Sequence, residues 1–310
     1  MTLSPLLHVG YIKTGSTLLQ KRVFADNTLG FSVPTEGYRS LLAEATIIDD
    51  SHIFDGATAR TELLGETTPT PESTVSVWSE EVLLGDPVVR RYNGKEIAEK
   101  LHAIMPEAKV LIVVREQREI ALSMYREHII QGFFTPFDHF LGTGDEPPGF
   151  SPILRPSFLL YSRAIQTYQS LFGANRVLVL PYELLSDGFE QFVHRVQEFA
   201  GLSATQNIPP PSKRVNKGLG ITSLTLARWL NRLTTTNPLT PQLGWDRRLA
   251  NHIARICDQL VPSRWDKAME RNLRAKIDAR FGAYYEKDNA LLSSLMNIDL
   301  AELGYRTPTS

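Results

Sequence analysis

Little in this chain signals export or a membrane. Its 310 residues include one cysteine, Cys257, so no intramolecular disulfide can form. No run of about 18 apolar residues occurs, the length a membrane-crossing helix needs. The opening MTLSPLLHVG lacks the basic start and long apolar stretch of a secretion signal. These absences lead us to expect a soluble, cytoplasmic protein without a membrane span. An excess of one charge is missing too, because 33 Lys and Arg stand against 34 Asp and Glu for a net −1. Sequence-independent nucleic-acid binding needs a clear basic excess, so no nucleic-acid partner is expected. Any anionic ligand must be met by a few placed cations. The seven histidines show no HxH or HExxH pairing, so no metal site is expected either.

What is present is an ordinary globular composition, 42% hydrophobic and 22% charged, which can bury a real core. Apolar runs at residues 6–11, 75–78, 109–114 and 176–180 read as strands. The run KVLIVV at 109–114 is the strongest, β-branched enough to be buried on both faces. Helical patterns lie between them at 16–24, 94–104, 118–130 and 157–172, with another at 189–199. Strands alternating with helices imply a three-layer α/β/α fold with a mostly parallel sheet. Residues 134–156 carry several Pro and Gly and read as a long surface loop, a candidate lid or acceptor wall. Residues 203–213 read as a linker. From 221 to about 303 the chain is helical in pattern. We therefore expect a core over 1–220 and a helical C-terminal region, 221–310, packed on the same domain.

The first strand runs into GYIKTGST, residues 10–17. This nearly fits the triphosphate-binding pattern GxxxxGK[ST], but Ser16 follows the second glycine and the lysine sits earlier, at Lys13. The physics of anion binding is kept. Gly15 lets backbone approach an anion, amides of the loop and first helical turn point at it, and Ser16 and Thr17 add hydroxyl donors. Triphosphate enzymes usually add an Asp at the end of a later strand to hold Mg²⁺. Here the KVLIVV strand ends in Arg115, which suits a phosphate and repels a metal. A strand-to-helix turn with no ligand is the plain alternative.

At this point the sequence resembles the sulfotransferase family, whose 5′-phosphosulfate loop reads PKTGTT or a close variant; Ile12 stands where the family has Pro. The spacing from Arg115 to Ser123 resembles the family's 3′-phosphate site, VRxPxxxxxS, with Gln117 in the Pro position. Arg214, Lys217 and Gly218, in RVNKGLG, resemble its late cofactor-closing loop. The stretch FGAYYEKDNALLSSLMNIDLAELGY is similar to the end of carbohydrate-type members. The resemblance implies 3′-phosphoadenosine 5′-phosphosulfate as donor and 3′-phosphoadenosine 5′-phosphate as product. It implies donor binding by Lys13, Thr14, Gly15, Ser16, Thr17 and Leu18, with Arg115, Ser123, Arg214, Lys217 and Gly218 at the nucleotide.

In-line sulfuryl transfer needs a cation for the developing phosphate charge and a base for the acceptor proton. Lys13 is expected to supply the first. Glu36 and Glu80 both stand as candidates for the second, Glu80 because strand C-terminal ends face the ligand crevice. The Glu80-Glu81 pair has a bland reading as well, acidic residues favoured at a helix start. His128 is a candidate lining for the acceptor pocket. His8 and Cys257 read as packing residues. The acceptor is expected to be a hydroxyl or amine, with a carbohydrate or glycolipid favoured by the resemblance; a homodimer is left open. The rival readings are a nucleotide or small-molecule kinase and a nucleotide-binding module without chemistry.

Overall fold

The computed structural model describes residues 3–308 except 49, 66–73, 212–217 and 234–246. Five parallel strands form the central sheet: β1 (Leu6–Val9), β2 (Phe31–Ser32), β3 (Val75–Glu80), β4 (Lys109–Val114) and β5 (Val177–Pro181). Their order is β2-β3-β1-β4-β5. The helices that accompany them are α1 (Ser16–Leu19), α2 (Tyr38–Ala43), α3 (Gly56–Gly65), α4 (Gly94–Ile104), α5 (Gln117–Ile130) and α6 (Phe137–Leu141). There follow α7 (Tyr161–Phe172), α8 (Tyr182–Asp187), α9 (Phe189–Ala200), α10 (Ile221–Leu230), α11 (Arg247–Asp258), α12 (Ser263–Phe281) and α13 (Glu286–Met296).

Strand β4 shows why the sheet is covered on both sides. Val110, Ile112 and Val114 face one core, which they share with α4, α5 and α7. Leu111 and Val113 face a second core with Leu19, Val23 and Phe24 after β1 and Phe192 and Val196 of α9. The period-two alternation of a strand thus divides an unbroken apolar run between two helical layers. The α/β/α expectation is met.

Several boundaries differ from the sequence expectation. Strand β2 carries only two residues, too few for a pattern to show. The helix expected from 157 begins at Tyr161, because Pro156 opens a separate 3₁₀ turn, Pro156–Leu159. The supposed surface loop 134–156 contains α6, whose Phe137, Phe140 and Leu141 are buried. Its return strand of chain is pinned by the Leu154 amide donating to the Phe140 carbonyl at 2.8 Å. Its tip, with Phe150, stands exposed, as do Phe134, Asp138 and His139. The start of the supposed linker is likewise tied down, with Ile208 buried and Thr205 bonded to Gln197 at 2.8 Å. Cys257 is half-buried rather than enclosed.

The later helices contribute to the same body, with α10 and α12 against α5, and α13 against α7 and β5. Among the described residues no helix is long and apolar enough to cross a membrane. The strand order reverses between β1 and β4. Open parallel sheets bind ligands at the carboxyl ends of strands beside such a switch point. The segments leaving β1 and β4 are the two that carry Lys13 and Arg115.

Candidate functional site

The loop after β1 adopts an unusual backbone. Lys13 has φ 69° and Gly15 φ 89°, so two left-handed residues bracket Thr14. A non-glycine residue in that region is held there at a cost and is a common mark of a ligand site. Glycine at position 15 is required twice over. A Cβ there would lie 2.7 Å from Leu185 Cδ2 and 3.1 Å from Tyr182 Cε2, on α8. The Thr14 hydroxyl donates to the Tyr11 carbonyl at 2.6 Å and fixes the turn. Ile12, in the proline position, is buried in the core and supplies by packing part of the rigidity a ring would give. The first helical turn hangs on the Gly15 carbonyl, which accepts from Leu18 and Leu19 at 2.9 and 3.1 Å. Ser16 is buried, and its hydroxyl has no partner in ordinary hydrogen-bond geometry. Thr17 is exposed, and the Leu18 side chain packs into the second core. A buried hydroxyl at a left-handed turn, beside the Glu81 carboxylate, is a donor that an anion can use.

Arg115 leaves β4 toward this loop. Its Nη1 donates to the Lys13 carbonyl at 3.0 Å, its guanidinium lies 4.6 Å from the Tyr182 ring centroid, and its Nε is buried without a partner. Tyr182 therefore supports both Gly15 and Arg115. Ser123 sits half-buried two turns along α5. Helix α5 begins at Glu116, whose carboxylate accepts from the Arg118 and Glu119 amides at 3.1 and 3.0 Å. The departure at Gln117 has a physical reason. Its amide pairs reciprocally with Asn289 of α13, at 2.6 and 3.2 Å, in a buried setting that proline could not satisfy.

The same face of α5 carries an alternating chain of charges. Glu119 lies 3.9 Å from Arg115 Nη2 and is bonded by Arg274 of α12. Arg274 also reaches Glu270 at 2.8 Å, and Glu270 bonds Arg126 at 2.9 Å. Burial is the largest influence on Glu119 and opposes its ionisation, but the bonds from Arg274 and the charges of Arg274, Arg115 and Arg126 together hold the carboxyl below its ordinary range. Gly218 comes to this face as well, since a Cβ there would lie 3.7 Å from Arg126 Cδ. Arg214 and Lys217 lie outside the described residues.

The carboxyl end of β3 brings the acids. Glu80 is buried and committed, accepting from Arg39 Nε at 2.7 Å and from the Glu81 amide at 2.9 Å. Glu36 is exposed on the turn leading into α2, whose Tyr38 and Arg39 reach Ser79 and Glu80. Sequence reasoning named Glu81 only as the second member of an acidic pair, and the structure sets it beside the loop. Burial, then the Glu80 charge, push its carboxyl above the ordinary range against the pull of Arg39, Lys13 and Ser16. Glu127, unremarked in the sequence, accepts from Lys13 Nζ at 3.1 Å. Both acids are found only by three-dimensional proximity; their sequence neighbours, Glu80 and His128, drew the attention.

His128 is fully buried. It stacks on Phe133 at 4.4 Å, with Nε2 2.9 Å from the Thr135 hydroxyl and Nδ1 3.3 Å from the Val88 carbonyl. Burial lowers its pKa to about 4. His8 is equally enclosed, 2.7 Å from the Ser79 hydroxyl, with a pKa lowered by burial to about 3. Both imidazoles are neutral parts of the interior at neutral pH.

A family model described as "Sulfotransferase domain" matches residues 3–222. A solved sulfotransferase from Alicyclobacillus acidocaldarius is 16% identical, covering 97% of this chain and 99% of its own, at TM-score 0.56. The sulfotransferase domain from the curacin biosynthetic pathway is 14% identical, covering 82% of this chain and 99% of its own, at TM-score 0.40. That from the Synechococcus PCC 7002 olefin synthase is 16% identical, covering 82% and 95%, at TM-score 0.40. No curated protein matches the chain.

Proposed function

The chain belongs to the sulfotransferase family, and from that premise we propose that it moves the sulfuryl group of 3′-phosphoadenosine 5′-phosphosulfate to a hydroxyl or amine. The observation that carries the donor is the loop: a lysine and a glycine in left-handed backbone around a buried serine hydroxyl, with Arg115 bonded to its spine. Ser16, Thr17 and the free amides of the turn hold the 5′ end. Arg115 and Ser123, with Gly218 and the segment before it, take the 3′-phosphate. The guanidinium fork suits that group, and Arg126 and Arg274 offset the negative charge of Glu119 beside it.

Lys13 is the group that meets charge developing on the leaving phosphate. Its present partner, Glu127, is half-exposed, so the ion pair exchanges at modest cost. The acceptor proton goes to a carboxylate at the end of β3. Of the three acids there, Glu80 is locked by Arg39 and Glu36 stands in solvent, whereas Glu81 faces Lys13 and Ser16 with a raised pKa. A raised pKa makes a carboxylate a stronger base, provided the working pH keeps it ionised. Glu81 is therefore the base in this reading. The likeness of the C-terminal stretch to carbohydrate-type members favours a carbohydrate or glycolipid hydroxyl as acceptor.

The test is a transfer screen with radiolabelled donor against sugars, glycolipids, phenols and amines. Label should pass to an acceptor in the wild type and be nearly lost in Lys13→Ala. Transfer that survives Lys13→Ala in full overturns the role given to the loop.

A further inference from the structure

A cavity of about 360 Å³ lies at the amino ends of α4 and α7, beside the donor loop but not part of it. Its lining includes Tyr11 yet neither Lys13, Ser16, Glu81 nor Arg115. The Tyr11 ring packs edge-on against Phe158 and Tyr161 at 5.1 and 4.8 Å. The Tyr161 hydroxyl in turn donates to the Arg115 carbonyl at 2.5 Å. Tyr11 lines the cavity, and Tyr161, packed against it, reaches the Arg115 backbone.

The chemistry of the lining is one-sided. Lys95, Arg155 and Arg163 stand on it, and no Asp or Glu does. Arg155 is already positioned, its guanidinium 4.3 Å from the Tyr92 ring centroid and its amide donating to the Tyr92 hydroxyl at 3.0 Å. Lys95 is held only loosely, 3.8 Å from Glu99. Gly94 also lines the cavity, where α4 starts with no side-chain cap from Asn93. The start of α7 is different, because Asp288 accepts from the Ser162 amide and hydroxyl. The interior is aromatic, with Tyr11, Phe158 and Tyr168. Tyr168 is 1% exposed and its hydroxyl has no hydrogen-bond partner. A buried phenol left unpaired costs stability unless something completes it.

We propose that this cavity is a second binding site, for a small molecule that joins an aromatic ring to an anionic group. The ring packs among Tyr11, Tyr92 and Phe158, the Tyr168 hydroxyl donates to a polar atom of the ligand, and Arg155, Arg163 and Lys95 hold the charge. The volume is that of a small-molecule pocket. The site is distinct from the donor site, so both fill together.

The test is calorimetric titration of phenyl phosphate into the full chain, alone and saturated with 3′-phosphoadenosine 5′-phosphate. Binding should be kept in the saturated protein and in Lys13→Ala. It should weaken about tenfold in the double variant Arg155→Ala, Arg163→Ala, which removes two charged partners at the rim. Tyr168→Phe should weaken it about threefold, the loss of one hydrogen bond. These variants change exposed or unpartnered groups, so the fold is kept, which a thermal melt checks. Displacement of phenyl phosphate by the nucleotide, equal binding by the double variant, or no binding at millimolar concentration overturns the inference. A chain that binds phenyl phosphate but not the nucleotide leaves this site standing and removes the donor assignment instead.

Discussion

Replacing Arg115 by alanine separates contact with the nucleotide from support of the loop. In the structure Arg115 does two jobs: it bonds the Lys13 carbonyl at 3.0 Å and rests on Tyr182, while its buried Nε stays unpartnered. If the guanidinium also takes a 3′-phosphate, its loss removes charge-assisted hydrogen bonds together worth about 3 kcal/mol. That is roughly a hundredfold in affinity. The assay is calorimetric titration of 3′-phosphoadenosine 5′-phosphate and of adenosine 5′-monophosphate, which lacks the 3′ group. The wild type should prefer the bisphosphate strongly, and Arg115→Ala should erase most of that preference while changing monophosphate affinity little. Arg115→Lys, keeping charge but not the planar fork, should fall between the two. An equal loss for both nucleotides would show that Arg115 acts only through the loop and would refute its assignment to the 3′-phosphate.

Glu81→Gln should lower kcat by about two to three orders of magnitude with nucleotide affinity kept, and more than either Glu80→Gln or Glu36→Gln. Because the Glu81 carboxyl is held above the ordinary range, the acid limb of the wild-type rate profile should lie above that of a free glutamate. Rate should fall as pH drops through that limb. Gly15→Ala adds about 1–2 kcal/mol of backbone strain at φ 89° and a contact of 2.7 Å with Leu185. A lowered melting temperature together with weakened nucleotide binding is the expected result, and an unchanged affinity would count against the loop. His8 and His128 have pKa values lowered to about 3 and about 4, so they bind protons in the unfolded chain before the folded one. Their contribution is present above about pH 6.5 and is lost as pH falls. At pH 5 each costs about 2 kcal/mol. Denaturant unfolding of His128→Asn between pH 7.5 and 5 should therefore show a shallower decline than the wild type.

How much of this was readable beforehand varies by residue. Strand β4 was legible because burial on both faces demands an unbroken apolar run, and its observed bounds, Lys109–Val114, are those the run suggested. Strand β2 was not, since two residues carry no period. The loop and Arg115 were legible as local patterns, and the structure brings them into contact. Glu127 and Tyr182 were invisible, because each matters only through a partner distant in sequence. The same holds for Arg274, which meets Glu119 across 155 positions. Gln117 looked like a defect in a motif until Asn289 was found opposite it. Glu81 was read only as part of an acidic pair for another reason: successive side chains at a strand end point to different sides, and periodicity alone could not say which of two glutamates lies nearer the lysine.

The two nucleotide readings of the loop after β1, a phosphosulfate nucleotide and a metal-bound triphosphate, differ in the ligand that stabilises the fold. Thermal melting of the wild-type chain with 3′-phosphoadenosine 5′-phosphate, set beside the same chain with ATP and Mg²⁺, separates them most directly. A rise in melting temperature with the first ligand, lost in Lys13→Ala, is expected. Stabilisation by ATP with Mg²⁺ alone would contradict the phosphosulfate reading.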